Sequence, residues 1–195
     1  MENGYTEVPP GKIASVVTYL EMRTPPPEVA ARSGPRFDIR QVRQPALDWY
    51  RGLFRKIGEP WLWFSRLRMP NEELQAILHD PAVDVFALSC GGEDQGLLEF
   101  DRRHMPDIEL TFFGVSFEMI GKGAGRALLA YALPVEWEYK PQRIWVHTCT
   151  SDHPGAVAFY QKVGFVPYKR AIEISDDPRV KGEIPRTAAR HVPVV

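Results

Sequence analysis

The sequence has few cysteines, no long apolar run and no large net charge, and each absence narrows the function. Its 195 residues contain only Cys90 and Cys149, which are too few for a disulfide framework or a cysteine-rich zinc site. No segment approaches the roughly 20 consecutive apolar residues that span a bilayer, and residues 1–10 are too polar for a signal peptide. We therefore expect a reduced, cytoplasmic protein that has no membrane partner.

A surplus of basic residues is also missing. Lys and Arg total 24 against 25 for Asp and Glu, which gives a net charge of -1 at pH 7. Nucleic-acid binders depend on a positive surface, and no basic run stands out, so no nucleic-acid partner is expected. His104, His147 and His153 lack the spacing of a recognised metal site, so we predict no metal.

What the sequence does have is enough apolar material for one core. Hydrophobic residues make up 44% of the chain and aromatic residues 11%, which suits a single domain over residues 1–195. Apolar spacing predicts strands at 13–22, 83–90, 96–100 and 108–115, and helices at 46–57 and 71–79. The last three strands form an antiparallel meander, whereas the segment between the first strand and about residue 45 is too irregular to assign.

The pattern changes after residue 115. A glycine-rich turn at 120–126 is followed by a helix at 127–133, a strand at 144–148, a helix at 154–163 and a strand at 165–174. A strand, helix, strand succession implies a right-handed crossover and hence a parallel pair, 108–115 with 144–148. We expect an α/β fold with a mixed, mostly antiparallel sheet, helices on both faces, a core over 13–174 and a polar tail at 175–195.

The glycine-rich turn offers a site for an anion. It lies between a strand and a helix, where unpaired backbone N–H groups and the helix dipole attract negative charge. The P-loop pattern fails because no Lys-Ser/Thr pair closes it, and the dinucleotide pattern GxGxxG would need glycine at Arg126. The residues that we expect to bind an anion here are Gly121, Lys122, Gly123, Ala124, Gly125 and Arg126.

Two motifs in this half of the chain resemble those of the GNAT N-acetyltransferase superfamily. The turn, IGKGAG at 120–125, is similar to the family's acyl-CoA pyrophosphate loop, Arg/Gln-x-x-Gly-x-Gly/Ala, except that Ile120 stands where Arg or Gln is usual. The segment AVAFYQKVGF at 156–165 resembles the family's A-x-x-x-Y-x-K-x-G-F signature. His153 occupies the position of an Asn that commonly contacts the cofactor in the family.

The resemblance implies an enzyme that moves an acetyl or similar short acyl group from acetyl-CoA to a primary amine. In the family, the two parallel strands splay apart and admit the pantetheine arm, whose amides would pair with the backbone at Phe113 and Val115. The implied acceptor is a small-molecule amine or a peptide N-terminus, and homodimers are frequent in the family. The departures at Ile120 and His153 keep a second interpretation open, a catalytically silent acyl-CoA-binding sensor or partner subunit.

Two residues are candidates for acid–base chemistry. An ammonium group must lose a proton before it attacks a thioester. Glu109 lies six residues before Val115, where some family members carry this base; the other interpretation is an edge-strand glutamate that faces solvent. Tyr160 matches the family tyrosine that protonates the departing thiolate, although tyrosine on an amphipathic helix also serves packing.

Three further features bear on the function. Cys149 either accepts the acyl group in a ping-pong scheme or is a small core residue. Trp61, Trp63 and Phe64 form an aromatic cluster that either lines the acceptor pocket or belongs to the core. Residues 61–117 carry ten acidic and four basic side chains, and we hypothesise that this acidic segment attracts a cationic amine.

Overall fold

A computed structural model describes residues 3–26 and 37–195. Residues 1–2 and 27–36, the latter within the segment left unassigned above, lie outside the described part. None of the described helices combines the length and the apolar character needed to cross a membrane. The main elements in chain order are β1 (Lys12–Met22), β2 (Asp38–Gln41), α1 (Leu47–Gly58), α2 (Ser65–Arg68), α3 (Asn71–Leu78), β3 (Val83–Cys90), β4 (Glu93–Asp101), β5 (Asp107–Val115), α4 (Ala124–Trp137), β6 (Arg143–Cys149), α5 (Ala156–Val163) and β7 (Val166–Asp176).

The strands form one mixed sheet of seven in the order β2-β3-β4-β5-β6-β1-β7. Five of the neighbouring pairs run antiparallel. The pair β5–β6 is parallel, and α4 makes the crossover between its two strands. The predicted fold class, with its single parallel pair, is confirmed.

Each face of the sheet carries its own apolar core. Helices α4 and α5 cover one face, where Leu128, Leu133 and Tyr160 are buried against the strands. Helices α1 and α3 cover the other face. Helix α1 packs through a stripe with helical spacing, which is formed by Tyr50, Leu53, Phe54 and Ile57.

Several boundaries differ from those predicted. The sequence pattern did not predict strand β2, because its sequence DIRQ is polar and it lies at the edge of the sheet, where β3 is its single partner among the described strands. Helix α2 follows the aromatic cluster and is only four residues long. Helix α4 runs over 124–137, whereas 127–133 was predicted. Pro134 indicated the end of the helix, but it is accommodated inside α4. Helix α5 begins at Ala156, two residues later than predicted.

The segment after β7 folds back onto the sheet, where a polar tail was expected. Arg179 is 2% exposed, and its Nε and Nη2 donate hydrogen bonds to Asp177 at 3.0 and 2.8 Å. Its Nη1 donates to three carbonyl oxygens between residues 188 and 192. Ile184 and Ala188 are thereby buried against Leu62, in the loop that follows α1. The polar composition of this segment gave no indication that it packs against the sheet, because one buried ion pair organises it.

We expect Arg179→Met to release residues 177–195. The substitution leaves the Asp177 carboxylate buried without its partner, which costs about 3–5 kcal/mol. Urea unfolding would measure the loss, and limited proteolysis would show early cleavage after residue 176. Lys181→Met, at a side chain that is 55% exposed, serves as the control. A tail that resists protease as well as the wild type does would contradict the assignment.

Candidate active site

The parallel strands β5 and β6 separate soon after they pair. Their register runs only from Asp107–Arg143 to Glu109–Trp145, although β5 continues to Val115 and β6 to Cys149. Beyond residue 109, β5 keeps β4 on one side and, in the described part of the chain, has no strand on the other. Backbone N–H and C=O groups of β5 are therefore free to pair with an extended ligand.

Side chains on both faces of β5 support this separation. Successive residues of a strand point to opposite faces of the sheet, so the side chains of Phe112 and Phe113 lie on opposite sides of β5. Phe113 stacks on Phe159 of α5, with 5.4 Å between ring centroids. Phe112 packs on the other face against Phe54, at 4.8 Å, and against Trp63, at 5.3 Å. Both α-helical layers thus fix the strand at the point where it leaves its partner.

A cleft of about 710 Å³ occupies the opening, within the size range of cofactor sites. Residues 110–115 of β5 and 146–149 of β6 form its two long walls. The glycine-rich turn and α5 border it on one face of the sheet, and the loop at 61–65 borders it on the other. Nine of the eleven predicted site residues line the cleft: Phe113, Val115, Gly121, Gly123, Ala124, Gly125, Arg126, His153 and Tyr160.

The glycine-rich turn has the geometry of an anion cradle. Gly121 and Gly123 adopt left-handed conformations, with φ of 77° and 84°, and a Cβ added to either would meet no atom within 4 Å. Gly123 caps α4 without a side-chain hydrogen bond, which leaves the first N–H groups of this helix free for a ligand. Lys122 does not line the cleft, and its own N–H is already bonded to the carbonyl of Met119 at 3.2 Å.

Glu109 lies at the last position where β5 pairs with β6, just beside the cleft. Its side chain is 25% exposed, and its Oε1 lies 3.9 Å from Nδ1 of His147, a residue that lines the cleft. Burial, reinforced by the carboxylates of Asp101 and Glu99, raises the pKa of Glu109 to about 7. The Glu109 side chain is therefore partly shielded from solvent, and its carboxyl group changes between the neutral and the charged form near pH 7.

Tyr160 contributes a buried phenol to the cleft. Its ring packs against Phe113 and Phe165, at centroid distances of 6.1 and 5.7 Å. Burial, with a smaller effect of the Asp152 carboxylate, raises the pKa of Tyr160 well above its usual range. The hydroxyl group thus keeps its proton at any physiological pH and is able to donate it.

Asp152 is a site residue that the motif analysis missed. Its Oδ2 accepts hydrogen bonds from the Thr148 hydroxyl and from the backbone N–H of Cys149, both at 2.8 Å. Its Oδ1 accepts one from Nε1 of Trp63 at 3.3 Å. The carboxylate therefore ties the loop after α1 to the turn after β6. An aspartate four residues beyond the predicted strand at 144–148 was the available signal for such a turn.

The aromatic cluster belongs to the cleft wall, and residues from the C-terminal segment support it. Trp61 packs edge-on against His153, with ring centroids 5.3 Å apart, and lies 5.8 Å from His191. The His191 ring donates a hydrogen bond to the carbonyl of Ser151 at 3.3 Å. His153 accepts a hydrogen bond from the N–H of Gly155 through Nδ1, at 3.0 Å. Sequence reasoning could not place residues 177–195 at this site.

The acidic segment at 61–117 gives the cleft much less negative charge than its composition suggests. Five of its ten acidic side chains are held in ion pairs with arginines, which neutralise them. Two of these pairs, Arg66–Glu99 and Arg102–Asp84, are buried, and none of the five lines the cleft. Glu109 differs, because among the described residues its only basic neighbour within 4 Å is the imidazole of His147. The paired carboxylates are Asp84, Asp94, Glu99, Asp101 and Asp107.

The seven-stranded mixed sheet with one parallel pair is the fold of the GNAT acetyltransferases. Residues 44–165 match the Acetyltransferase (GNAT) family, and this chain belongs to that family. Enzymes of the family use acetyl-CoA as the acyl donor. No functionally curated protein matches the chain in sequence. In residues 3–26 and 37–195, no three His, Cys, Asp or Glu side chains are grouped so as to hold a metal ion.

Solved structures of acetyltransferases share the fold. An aminoglycoside acetyltransferase, meta-AAC0020, from an uncultured soil metagenomic sample has 18% identity and a TM-score of 0.55, over 66% of this chain and 87% of that one. AAC(6')-Iy in complex with a CoA-containing bisubstrate analog has 20% identity and a TM-score of 0.56, over 70% and 95%. A GCN5-related N-acetyltransferase from Sphaerobacter thermophilus has 18% identity and a TM-score of 0.59, over 87% and 53%.

We expect Glu109 to titrate near pH 7. Carboxyl ¹³C NMR, assigned with Glu109→Gln, would measure the midpoint, and Asp101→Asn should lower it by removing a nearby negative charge. The folded state binds this proton more tightly than the unfolded chain does, so the stability that comes from the neutral form is lost as the pH rises through about 7. A midpoint near 4.5, the ordinary value, would contradict the burial of this group.

Proposed function

We propose that the protein is an N-acetyltransferase that moves an acetyl or similar short acyl group from acetyl-CoA to a primary amine by direct attack. The position of Glu109 carries the proposal. This carboxyl group, with its pKa near 7, stands where β5 and β6 part. The free edge of β5 leads from it to the glycine-rich turn after residue 119. The two half-buried free thiols, Cys90 and Cys149, suit a reducing cytoplasm.

The residues present fit acetyl-CoA, which supplies an electrophilic thioester carbon when bound. Free N–H groups at the start of α4, with Arg126 beside them, would hold the pyrophosphate. The unpaired backbone at Phe113 and Val115 would hold the pantetheine amides as an added strand does. His153 lines the same cleft. Ile120 lines the cleft and contributes no charge.

Glu109 would act as the general base. Above its pKa, the carboxylate accepts a proton from the ammonium group of the acceptor, and the resulting amine attacks the thioester. Nδ1 of His147 lies 3.9 Å from Oε1 of Glu109, too far for a direct hydrogen bond between them. A carboxyl group whose pKa lies near the working pH both takes and releases a proton efficiently.

Tyr160 would act as the general acid. It donates its phenolic proton to the sulfur of the departing thiolate, and its raised pKa ensures that the proton is present. Cys149 is a poor alternative nucleophile, because burial and the Asp152 carboxylate raise the pKa of its thiol. Direct attack by the amine is therefore preferred to a ping-pong scheme.

The loop at 61–65 and strands β1 and β7 would form the acceptor side. Trp61 and Trp63 offer apolar area, and Asp152 and Glu173 add carboxylates to the cleft lining. Because meta-AAC0020 is named an aminoglycoside acetyltransferase, aminoglycosides join amino acids, polyamines and short peptides as acceptors to be screened.

Glu109→Gln should reduce kcat/KM roughly 100-fold or more, because the base is lost. The fall of the wild-type rate below about pH 7 should disappear with it. Thiol release from acetyl-CoA across the amine panel provides the measurement. Glu93→Gln, at an exposed hairpin position, is the matched control. An unchanged rate and pH profile would exclude Glu109 as the base.

Tyr160→Phe should lower kcat by a similar factor while KM for acetyl-CoA stays near its wild-type value, since only the departing thiolate loses its proton donor. Tyr131→Phe, at a tyrosine that is 47% exposed, is the control. If wild-type protein binds acetyl-CoA but releases no thiol with any amine of the panel, the sensor interpretation replaces the enzyme.

Gly123→Ala should weaken CoA binding about tenfold, the equivalent of one lost charge-assisted hydrogen bond. The matched control is Gly92→Ala, in the β3–β4 hairpin. Both glycines have nearly the same φ, 84° and 83°, and open space around an added Cβ. Each substitution should therefore cost about 1 kcal/mol of folding stability, whereas calorimetric titration with CoA should show an affinity change at Gly123 alone. Equal affinities for both variants would remove the turn from the binding site.

A further inference from the structure

The indole of Trp63 is seated on two glycines that belong to different elements. A Cβ added to Gly58, the last residue of α1, would overlap Cβ of Trp63, and one added to Gly114 of β5 would lie 3.2 Å from Cη2 of its six-membered ring. The ring also packs against Phe54 and Phe112, with 5.3 Å between centroids in each case. A side chain enclosed in this way keeps one orientation, because close packing leaves no space for another.

The chain conformation at Leu62 sets the direction of Trp63. Leu62 is left-handed, with φ of 60°. Its N–H donates to the carbonyl of Glu59, and the N–H of Trp63 donates to the carbonyl of Gly58. This pair of hydrogen bonds is the Schellman motif, in which glycine is usual at the position that Leu62 occupies. The C-terminal segment buries the leucine there and so holds a conformation that other residues rarely adopt.

The ring of Trp63 connects the two separated strands. Its six-membered part lies over Gly114 of β5, and its Nε1 donates to Oδ1 of Asp152. The other oxygen of Asp152 accepts hydrogen bonds from Thr148 and Cys149 of β6. The indole therefore crosses the opening on the face that α1 covers, beside the part of the β5 backbone that is free to pair with a ligand. At the level of Gly114, this ring closes the cleft on that face.

A gap remains on the same face between the aromatic rings and the last paired residues of β5 and β6. Phe112 packs beside Trp63, whereas Glu109 and His147 are 25% and 44% exposed, so solvent reaches the strands at their level. The stretch of β5 from Glu109 to Thr111 spans about 7 Å, at about 3.3 Å per residue. Carbon atoms in contact lie about 3.5–4 Å apart, so a gap of this size admits a single file of methylene groups and not a branched carbon.

We propose that Trp63 determines acceptor specificity by restricting the acceptor to this gap beside Glu109, so that amines carried on a CH₂ group are acetylated in preference to amines on a branched carbon. The inference rests on the proposed acetyl transfer and names its acceptor class. Chain-end amines, such as those of diamines and of lysine side chains, pass through the gap. The α-amino groups of amino acids other than glycine, and amines attached directly to a ring, are excluded.

Two isomeric amines test the gap. n-Butylamine and sec-butylamine have the same composition and charge, and they differ in branching at the carbon that carries the nitrogen. With wild-type protein, kcat/KM for thiol release from acetyl-CoA should be about 100-fold higher for the unbranched isomer. Trp63→Ala should reduce this ratio to about fivefold or less, because the opening is no longer crossed. Trp63→Phe, whose ring is too short to reach Asp152, should give an intermediate ratio.

Trp49→Phe is the matched control for Trp63→Phe. It also removes an indole donor from an aspartate, Asp94, at 2.8 Å, but neither residue lines the cleft. The isomer ratio of this variant should equal that of the wild type. A ratio near one in the wild type, or a ratio that Trp63→Ala leaves unchanged while thiol is still released, would overturn the role of Trp63 and leave the acetyl transfer standing.

A second measurement needs no acceptor. With CoA bound to excess protein, iodoacetamide, which reacts at a CH₂ group, should alkylate the CoA thiol. The bulkier ring of N-ethylmaleimide should react at least about tenfold more slowly than it does with free CoA. Trp63→Ala should admit both reagents, which mass spectrometry of the CoA adducts would measure. Equal maleimide access in the wild type and this variant would overturn the proposal. Changed maleimide access without thiol release for any amine would support the gap and reject the acetyltransferase.

Discussion

The early end of hydrogen bonding between β5 and β6 is the constraint on which the rest of the site depends. Three residue pairs hold the strands together, and the pairing stops at Glu109 and Trp145. Had it continued, no cleft would exist and the β5 backbone would be satisfied by β6. The separation therefore supplies the binding space and the unpaired backbone, and it puts the carboxyl group of Glu109 at the point where the two strands diverge.

A buried carboxylate on the neighbouring strand β4, together with its hydrogen-bond partners, helps to hold β5 in this arrangement. Glu99, opposite the register shift of β5, is fully buried and accepts hydrogen bonds from Tyr50 and, at 2.5 Å, from Arg66. A buried ion pair adds little net stability, because both charges lose their hydration. It does penalise any packing of α1 and α2 that separates the partners. The same carboxylate raises the pKa of Glu109, so the support of the strand and the proton affinity of the site have a common origin.

The sequence predicted the parts that depend on local pattern. Strand–helix–strand order implied the parallel pair, and glycine spacing indicated the turn around Gly121 and Gly123. It could not predict Asp152, whose role comes from a hydrogen bond to Trp63, 89 residues away. Nor could it show that paired arginines neutralise much of the acidic segment, because composition counts charges without their partners. The role of the aromatic cluster also remained ambiguous, because residues that line a pocket and residues that fill a core are of the same chemical types.

The docking of residues 177–195 on the loop after α1 has a consequence for the order of folding. Leu62 is buried by Ile184 and Ala188, more than 120 residues later in the chain. Contacts of such sequence separation form late, since a long loop must close before they contribute. The sheet can assemble, with its two parallel strands already separated, while the wall of the cleft around Leu62 has not yet packed. We therefore expect the anion cradle, built from near neighbours in sequence, to mature before the opposite wall of the cleft.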